Sequence, residues 1–395
     1  MKQKFLMSMI MIAIDVFPSF AMNQHSNYSM LPYNLIRSLQ RGFDNSAREN
    51  NYSQRKLSDM AQEVGMQLRI THKDVFADRR NVDAIVIYTV IANDPSVLEE
   101  LIVKDTQGYF DSSMIRALRY YFAGNFESSI REFERIKHIY QNRSTEPYIY
   151  LMMGKAMMAL QPKEAIRFFD HIRLISPGTI LEEMSLRNLL EITLNHSMEE
   201  RSFGYIRDYS RQFHHSIHKD HFIQLLLHFF LSNHPKLQDD DIVSTISFLD
   251  LKDQRIVYFK IARYAVISGK NAIGMLSIKQ LKEIKNELDY RDLAAIWLYI
   301  DILNIPFIDM VSSQRSLSII PDDALTPQDR ILKKASKIVV LDMRETLLDV
   351  HIKSTDKDLI GDQKQDEKIN FDLDPFIKSN RQKIKQIDML LQEGE

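Results

Sequence analysis

From about Leu31 onward the apolar residues recur at steps of three and four, the spacing that lines one face of a helix. In "MIRALRYYFAGNFESSIREFERIKHIY" the residues Ile115, Leu118 and Phe122 form one stripe. After a Gly-Asn turn, Ile130, Phe133, Ile136 and Ile139 form another. The next stretch, "YIYLMMGKAMMALQPKEAIRFFDHIRLISPG", repeats the plan. One helix is predicted to run to about Leu160, Pro162 breaks it, and a second helix carries Ile166, Phe169 and Ile172.

The pairs keep register. Ile130 and Ile166, Phe133 and Phe169, and Ile136 and Ile172 are each 36 residues apart, and Phe203, Ile206 and Tyr209 follow 37 residues later. Ile273 lies a further 70 along, close to two more steps. A period near 34 to 37 with two helices per unit is the tetratricopeptide pattern. Gly154 and Ala165 fall where two helices need small residues to approach, Phe169 where a large ring fills their groove, and Pro177 where the second helix must stop. The alternative is a bundle of antiparallel helices with accidental spacing. The fold expected is therefore all-α, a tetratricopeptide-like helix-pair solenoid with a disordered linker and a C-terminal helix. It divides into a less regular helical region over 22–105 and the array over 106–350. Thr326-Pro327 is an N-cap and first-turn proline pair opening a closing helix. Residues 351–374 hold few large apolar groups and alternate in charge, the composition of a disordered linker. Residues 375–395 put Ile377, Ile384, Ile387 and Leu391 on one face of an amphipathic helix.

Composition agrees with long elements and few tight turns: among 395 residues there are only 11 Gly and 11 Pro. At 45% hydrophobic and 26% charged, the chain can bury a sizeable core. A net charge of -2, with no basic stripe, argues against a nucleic-acid partner. The start is more informative. Lys2 and Lys4 precede an apolar run from Phe5 to Ile14, and Ser19-Phe20-Ala21 has small residues at both positions that matter for cleavage. This is the layout of a secretory signal peptide over 1–21, too short for a stable anchor. No later segment is long and apolar enough to span a membrane.

With no cysteine there is no disulfide, thiolate metal site or Cys nucleophile. Gly-rich phosphate loops, G-x-S-x-G elbows and H-E-x-x-H pairs are absent, and Gly269-Lys270 lacks the rest of a nucleotide loop. Two clusters remain. "FHHSIHKDHFIQLLLHFFLSNH" places His214, His218, His221 and His228 on one stripe of a continuous helix, with His215 beside it. Imidazoles one turn apart can share a metal, but no Asp or Glu at matching spacing completes a set, and His215 and His218 sit where the chain turns. The segment 214–234 is read as a half-solvated stripe. The second cluster is Glu182-Glu183 after Pro177-Gly178. Thr179-x-x-Glu182 is a capping box, and Glu183, about 100° further round, is expected to be an exposed first-turn charge. A helix N-terminus favours negative charge, which does not suit a general acid. No catalytic, cofactor-binding or metal residue is assigned, no cofactor is expected, and the partner-binding residues are left open.

Four segments in order, "PYNLIRSLQ" at Pro32 to Gln40, "DRRNVDAIVIYTVIANDPSVLEELI" at Asp78 to Ile102, "SPGTILEEMSLR" at Ser176 to Arg187, and "FKIARYAVISGKNAIGMLSI" from Phe259, resemble those of the MotC family, periplasmic motility proteins of alphaproteobacteria. The resemblance runs from about Leu31 to Val350, and the order and spacing of the segments carry it. It implies a non-enzymatic chemotaxis and motility protein, located in the periplasm and required for flagellar rotation. It also implies a protein partner, the periplasmic part of the stator protein MotB. No site residue transfers with it. An alternative within the binding class is a general periplasmic scaffold or envelope-assembly adaptor. An enzyme resembling the superhelical lytic transglycosylases would need a catalytic domain, for which the array leaves no room. If the signal peptide is cleaved as its layout predicts, intact-mass measurement of the exported protein will give a chain beginning at Met22. A mass that retains Met1 to Ala21 would reject that assignment.

Overall fold

The computed structural model describes residues 31–49, 52–234, 236–284 and 288–357, and among them every regular element is helical, with no strand. The signal segment 1–21 and the C-terminal helix 375–395 lie outside the described residues, as does most of the linker 351–374.

The chain divides into two compact units, one up to Ser185 and one from Leu186. The first holds α1 (Pro32–Arg48), α2 (Gln54–Arg69), α3 (Arg79–Ala92), α4 (Ser96–Lys104), α5 (Ser112–Phe122), α6 (Phe126–Ile136), α7 (Glu146–Leu160) and α8 (Pro162–Ile175). The division falls inside α9 (Ile180–Asn195). The second unit continues with α10 (Glu199–Gln212), α11 (Lys219–Asn233), α12 (Asp239–Ile246), α13 (Leu251–Ser268), α14 (Asn271–Glu283), α15 (Tyr290–Asn304), α16 (Met310–Ile319) and α17 (Pro327–Lys357). The last helix therefore enters the stretch expected to be linker.

The helix boundaries have the local causes that the sequence offers. Gly124 adopts φ +74° and ends the α5 turn, and Asn125 caps α6 by accepting from the Ser128 amide. Pro162 occupies the first turn of α8, where its missing N–H costs nothing. Gly269 exits α13 at φ +68°, and Lys270 donates its side chain to the Leu231 carbonyl, so Gly269-Lys270 is a helix stop and a strut between helices. Thr326 caps α17 by accepting from the Asp329 amide at 3.1 Å, while its hydroxyl donates to the Asp329 carboxylate. That carboxylate is buried, and it also accepts from Tyr299 at 3.0 Å, joining α17 to α15.

Packing follows the repeat. The pairs α5–α6, α7–α8 and α13–α14 are each in close contact, and successive pairs stack: α6 on α7, α12 on α14, α13 on α15. Ile130, Phe133 and Ile136, then Ile166, Phe169 and Ile172, are all buried at equivalent places, as are Ile206, Tyr209 and Ile273. The close approach within α7–α8 is visible in atoms. A Cβ on Gly154 would lie 2.9 Å from the ring of Phe169, which is fully buried. In α5–α6 the same role falls to Ala117 and Ser129, whose hydroxyl donates to the Ala117 carbonyl at 2.9 Å. Between α10 and α11 aromatic rings take over: Tyr209 stacks on Phe222 at 4.0 Å and Phe203 on Phe229 at 6.0 Å. The N-terminal helices are not a separate body. Within the first unit α3 packs on α7, and Gln40 of α1 donates to the Tyr148 hydroxyl at 2.8 Å.

The close approach predicts a contrast between two glycines. Gly154→Val should destabilise by about 1–3 kcal/mol, because the buried Phe169 ring has nowhere to go. Gly204→Ala on α10, where an added Cβ meets nothing within 4 Å, should stabilise by about 0.5–1 kcal/mol. Urea midpoints followed by circular dichroism check both, and equal midpoints for the two variants would contradict the packing account.

Candidate functional site

The adjacent carboxylates Glu182 and Glu183 sit in the first turn of α9, where the sequence puts them, but their surroundings differ from the expectation. Both are buried, Glu182 4% and Glu183 0% exposed, so Glu183 is not the exposed charge expected of it. The reason is that α9 is covered nearly all round: Ile180, Leu181, Leu186, Leu189, Leu190 and Ile192 are buried along with it. The capping box is rearranged as well. Glu182 reaches back to the amide of Gly178 rather than that of Thr179, and the Thr179 hydroxyl donates to the Ser176 carbonyl. The free amide at Ile180 is taken by Asp44 of α1, 3.0 Å away and 136 residues earlier in the chain. A helix from the opposite end of the unit thus caps α9. Arg48 of the same helix lies over Gly178, where φ is +70° and any Cβ would collide with the guanidinium. Burial raises the Asp44 carboxyl above its ordinary range, with the Ile180 amide and Arg48 pulling the other way. The corner is a joint held by charge and capping, and it offers no open face to a substrate.

A cavity in the first unit lies elsewhere. It has a volume of about 700 Å³ and is walled by α3, α4 and α5 and by the turns that precede α5 and α7. Val82, Val86, Leu98, Phe110, Met114 and Leu118 give it an apolar floor. At one end Arg143 forms a two-pronged ion pair with Asp83, with its guanidinium 4.4 Å from the Tyr140 ring centre. The Tyr140 hydroxyl donates to Asp111 at 3.3 Å, and burial pushes the phenol strongly up. Arg79 and Tyr109 stand at the more exposed rim. Asp83 and Arg143 are 60 residues apart, and nothing in their local sequence links them. An apolar trough with a few fixed polar groups at one end is the form of a ligand-binding cleft.

The histidines do not form one stripe. The helix breaks between Gln212 and Lys219, so His214, His215 and His218 lie in a turn, while His221 and His228 are exposed on α11. His221 instead faces Glu191 at 3.5 Å. The fold does bring His214 and His215 to Asp250, the N-cap residue of α13, to which the sequence pattern assigned no role.

These features define a class: an all-α helix-repeat protein with an apolar-floored cleft in its first unit. The profile of the family described as "Chemotaxis protein MotC" matches residues 1–395. A protein named chemotaxis protein MotC from Rhizobium meliloti (strain 1021) is 30% identical over 310 residues, covering 78% of this chain and 71% of that protein. The chain belongs to the MotC family, and through it to the proteins of chemotaxis and motility. No solved structure matches it. Among the described residues no helix is long and apolar enough to cross a membrane.

The cap on α9 makes a testable joint. Asp44→Ala should lower stability by about 1–2 kcal/mol, and Asp44→Asn, which keeps the acceptor, should recover most of the loss. The sign of the pH effect follows from the raised carboxyl. Its ionisation disfavours the fold above the folded pKa, and this penalty disappears below the ordinary value of 3.8. Wild type should therefore gain on Asp44→Asn as the pH falls through the carboxylate range, measured by urea midpoints at each pH. A gap that widens against wild type would contradict the assignment.

Proposed function

We propose that this chain is a periplasmic motility protein that works by binding rather than catalysis. Its partner is the periplasmic part of the stator protein MotB, and its absence stops flagellar rotation. Family membership supports the motility role. The signal-peptide layout over 1–21 supports the compartment. The observation that carries the mode of action is the 700 Å³ cleft, with its apolar floor and its Asp83–Arg143 pair at one end. A helix-pair array needs no active site, and its usual work is to hold a peptide or another domain against a preformed surface. The floor would take apolar side chains of the partner, and the rim residues Arg79 and Tyr109 would set its direction.

Rim residues make better probes than the ion pair, because breaking a buried pair costs about 3–5 kcal/mol of stability in its own right. Calorimetry between the mature chain and the soluble periplasmic portion of MotB should give saturable binding. Arg79→Glu and Tyr109→Ala should each weaken it by at least about tenfold, about 1.4 kcal/mol, with unchanged helicity. Deletion should abolish swimming while leaving flagella assembled. No binding to MotB together with intact swimming would sink the proposal. Detergent sensitivity in a swimming deletion strain would point instead to an envelope scaffold.

A further inference from the structure

Three groups with metal-ligating atoms meet on the second unit. His214, His215 and Asp250 each offer one ligand atom, and these atoms all lie within 4.8 Å of one another. His215 Nδ1 stands 3.3 Å from Asp250 Oδ2. Two ligands held about 2.0–2.1 Å from a tetrahedral ion are themselves about 3.3–3.4 Å apart, so this pair has the spacing that one zinc-like ion requires. The two histidine rings lie 4.1 Å apart, tilted by 49°. His214 Nδ1 donates to the Ser210 carbonyl at 3.1 Å. That bond fixes the tautomer and leaves Nε2 with its lone pair, the arrangement commonly seen for metal-bound histidine.

The backbone around the cluster is held independently. Asp250 is the N-cap of α13 but its carboxylate makes no capping bond, and faces His215 instead. Its turn is pinned by Gln254, which donates to the Leu249 carbonyl at 2.7 Å. Phe213 and Ser216, on either side of the histidine pair, are fully buried. Lys219 donates to Asp253 at 2.7 Å and ties the start of α11 to the start of α13, just beyond the three ligands. Both ligand-bearing turns are thus already brought together by contacts other than their own. Burial lowers the His214 pKa, its neighbour His215 acts in the same direction, and Asp250 opposes them.

We propose that His214, His215 and Asp250 bind one divalent first-row transition metal of the zinc class, with water completing the coordination. Bound there, the ion clamps the turn between α10 and α11 to the N-terminus of α13. Two imidazoles and one carboxylate suit zinc, cobalt or nickel and not calcium or magnesium, which take all-oxygen sites.

The test uses the untagged, metal-free chain and ZnCl2 in calorimetry, with CoCl2 absorption as a second readout. One equivalent should bind with micromolar affinity, and cobalt should give the visible bands of a low-coordinate nitrogen-oxygen site. His215→Gln and Asp250→Asn should each weaken zinc by at least about tenfold, since loss of a second-shell group alone costs about 10–100-fold. His221→Gln, on the exposed face of α11, should leave the affinity unchanged. Zinc should raise the melting temperature of wild type and not of His215→Gln. Absent or non-saturating heat, or equal zinc affinity in wild type, His215→Gln and Asp250→Asn, would overturn the site. Circular dichroism of each variant separates loss of the site from loss of the fold.

Discussion

The contact on which this architecture rests is the one between Gly154 and Phe169. An α7–α8 pair can bury its apolar faces only if the two backbones come close, and the ring of Phe169 occupies the space where a Cβ would be. The same requirement is met by Ala117 and Ser129 one repeat earlier, while between α10 and α11 a stacked pair of aromatic rings fills the interface instead. The chemistry differs but the constraint does not. A helix pair cannot bury its hydrophobic face alone, so each pair must lie on the next. That is why contacts within each unit join chain neighbours and next-but-one neighbours.

Where the fold departs from simple stacking, it uses charge. The exceptions to local contact in the first unit run from α1 and α3 to α7 and α9. One of them is Asp44 capping α9 beside the buried carboxylates of Glu182 and Glu183. A helix N-terminus tolerates buried acids because its free amides and dipole replace part of the lost water. Asp329 repeats the theme at the start of α17, with Thr326 and Tyr299 as its partners. Among the described residues Glu182, Glu183, Asp253 and Asp329 are buried acids in the first turns of helices.

Function is then left to surfaces between helices. The cleft and the histidine turn share a physical origin: each is a place where connecting segments, freed from helical spacing, can bring together residues distant in sequence. Asp83 and Arg143 meet at one end of an apolar trough, and His215 meets Asp250 across the ends of α11 and α13. Rigid helix pairs provide the wall, and the turns provide the few polar groups that give direction.

The sequence by itself determined the all-α class, the 36-residue register, and helix boundaries at Gly124, Pro162 and Thr326, because these depend on periodicity and local backbone chemistry. It also carried the family, through four segments in fixed order. It misjudged Glu183, since the amphipathic pattern assumes one face in water, and only tertiary packing shows that α9 is covered all round. It saw the histidine stripe and placed His215 and His218 at a turn, but it gave Asp250 no role. The cap from Asp44, the Asp83–Arg143 pair and the His214–His215–Asp250 cluster were decided by the tertiary structure alone. Each joins residues at separations with no periodic signature, and only the stacking of helix pairs fixes which turns become neighbours.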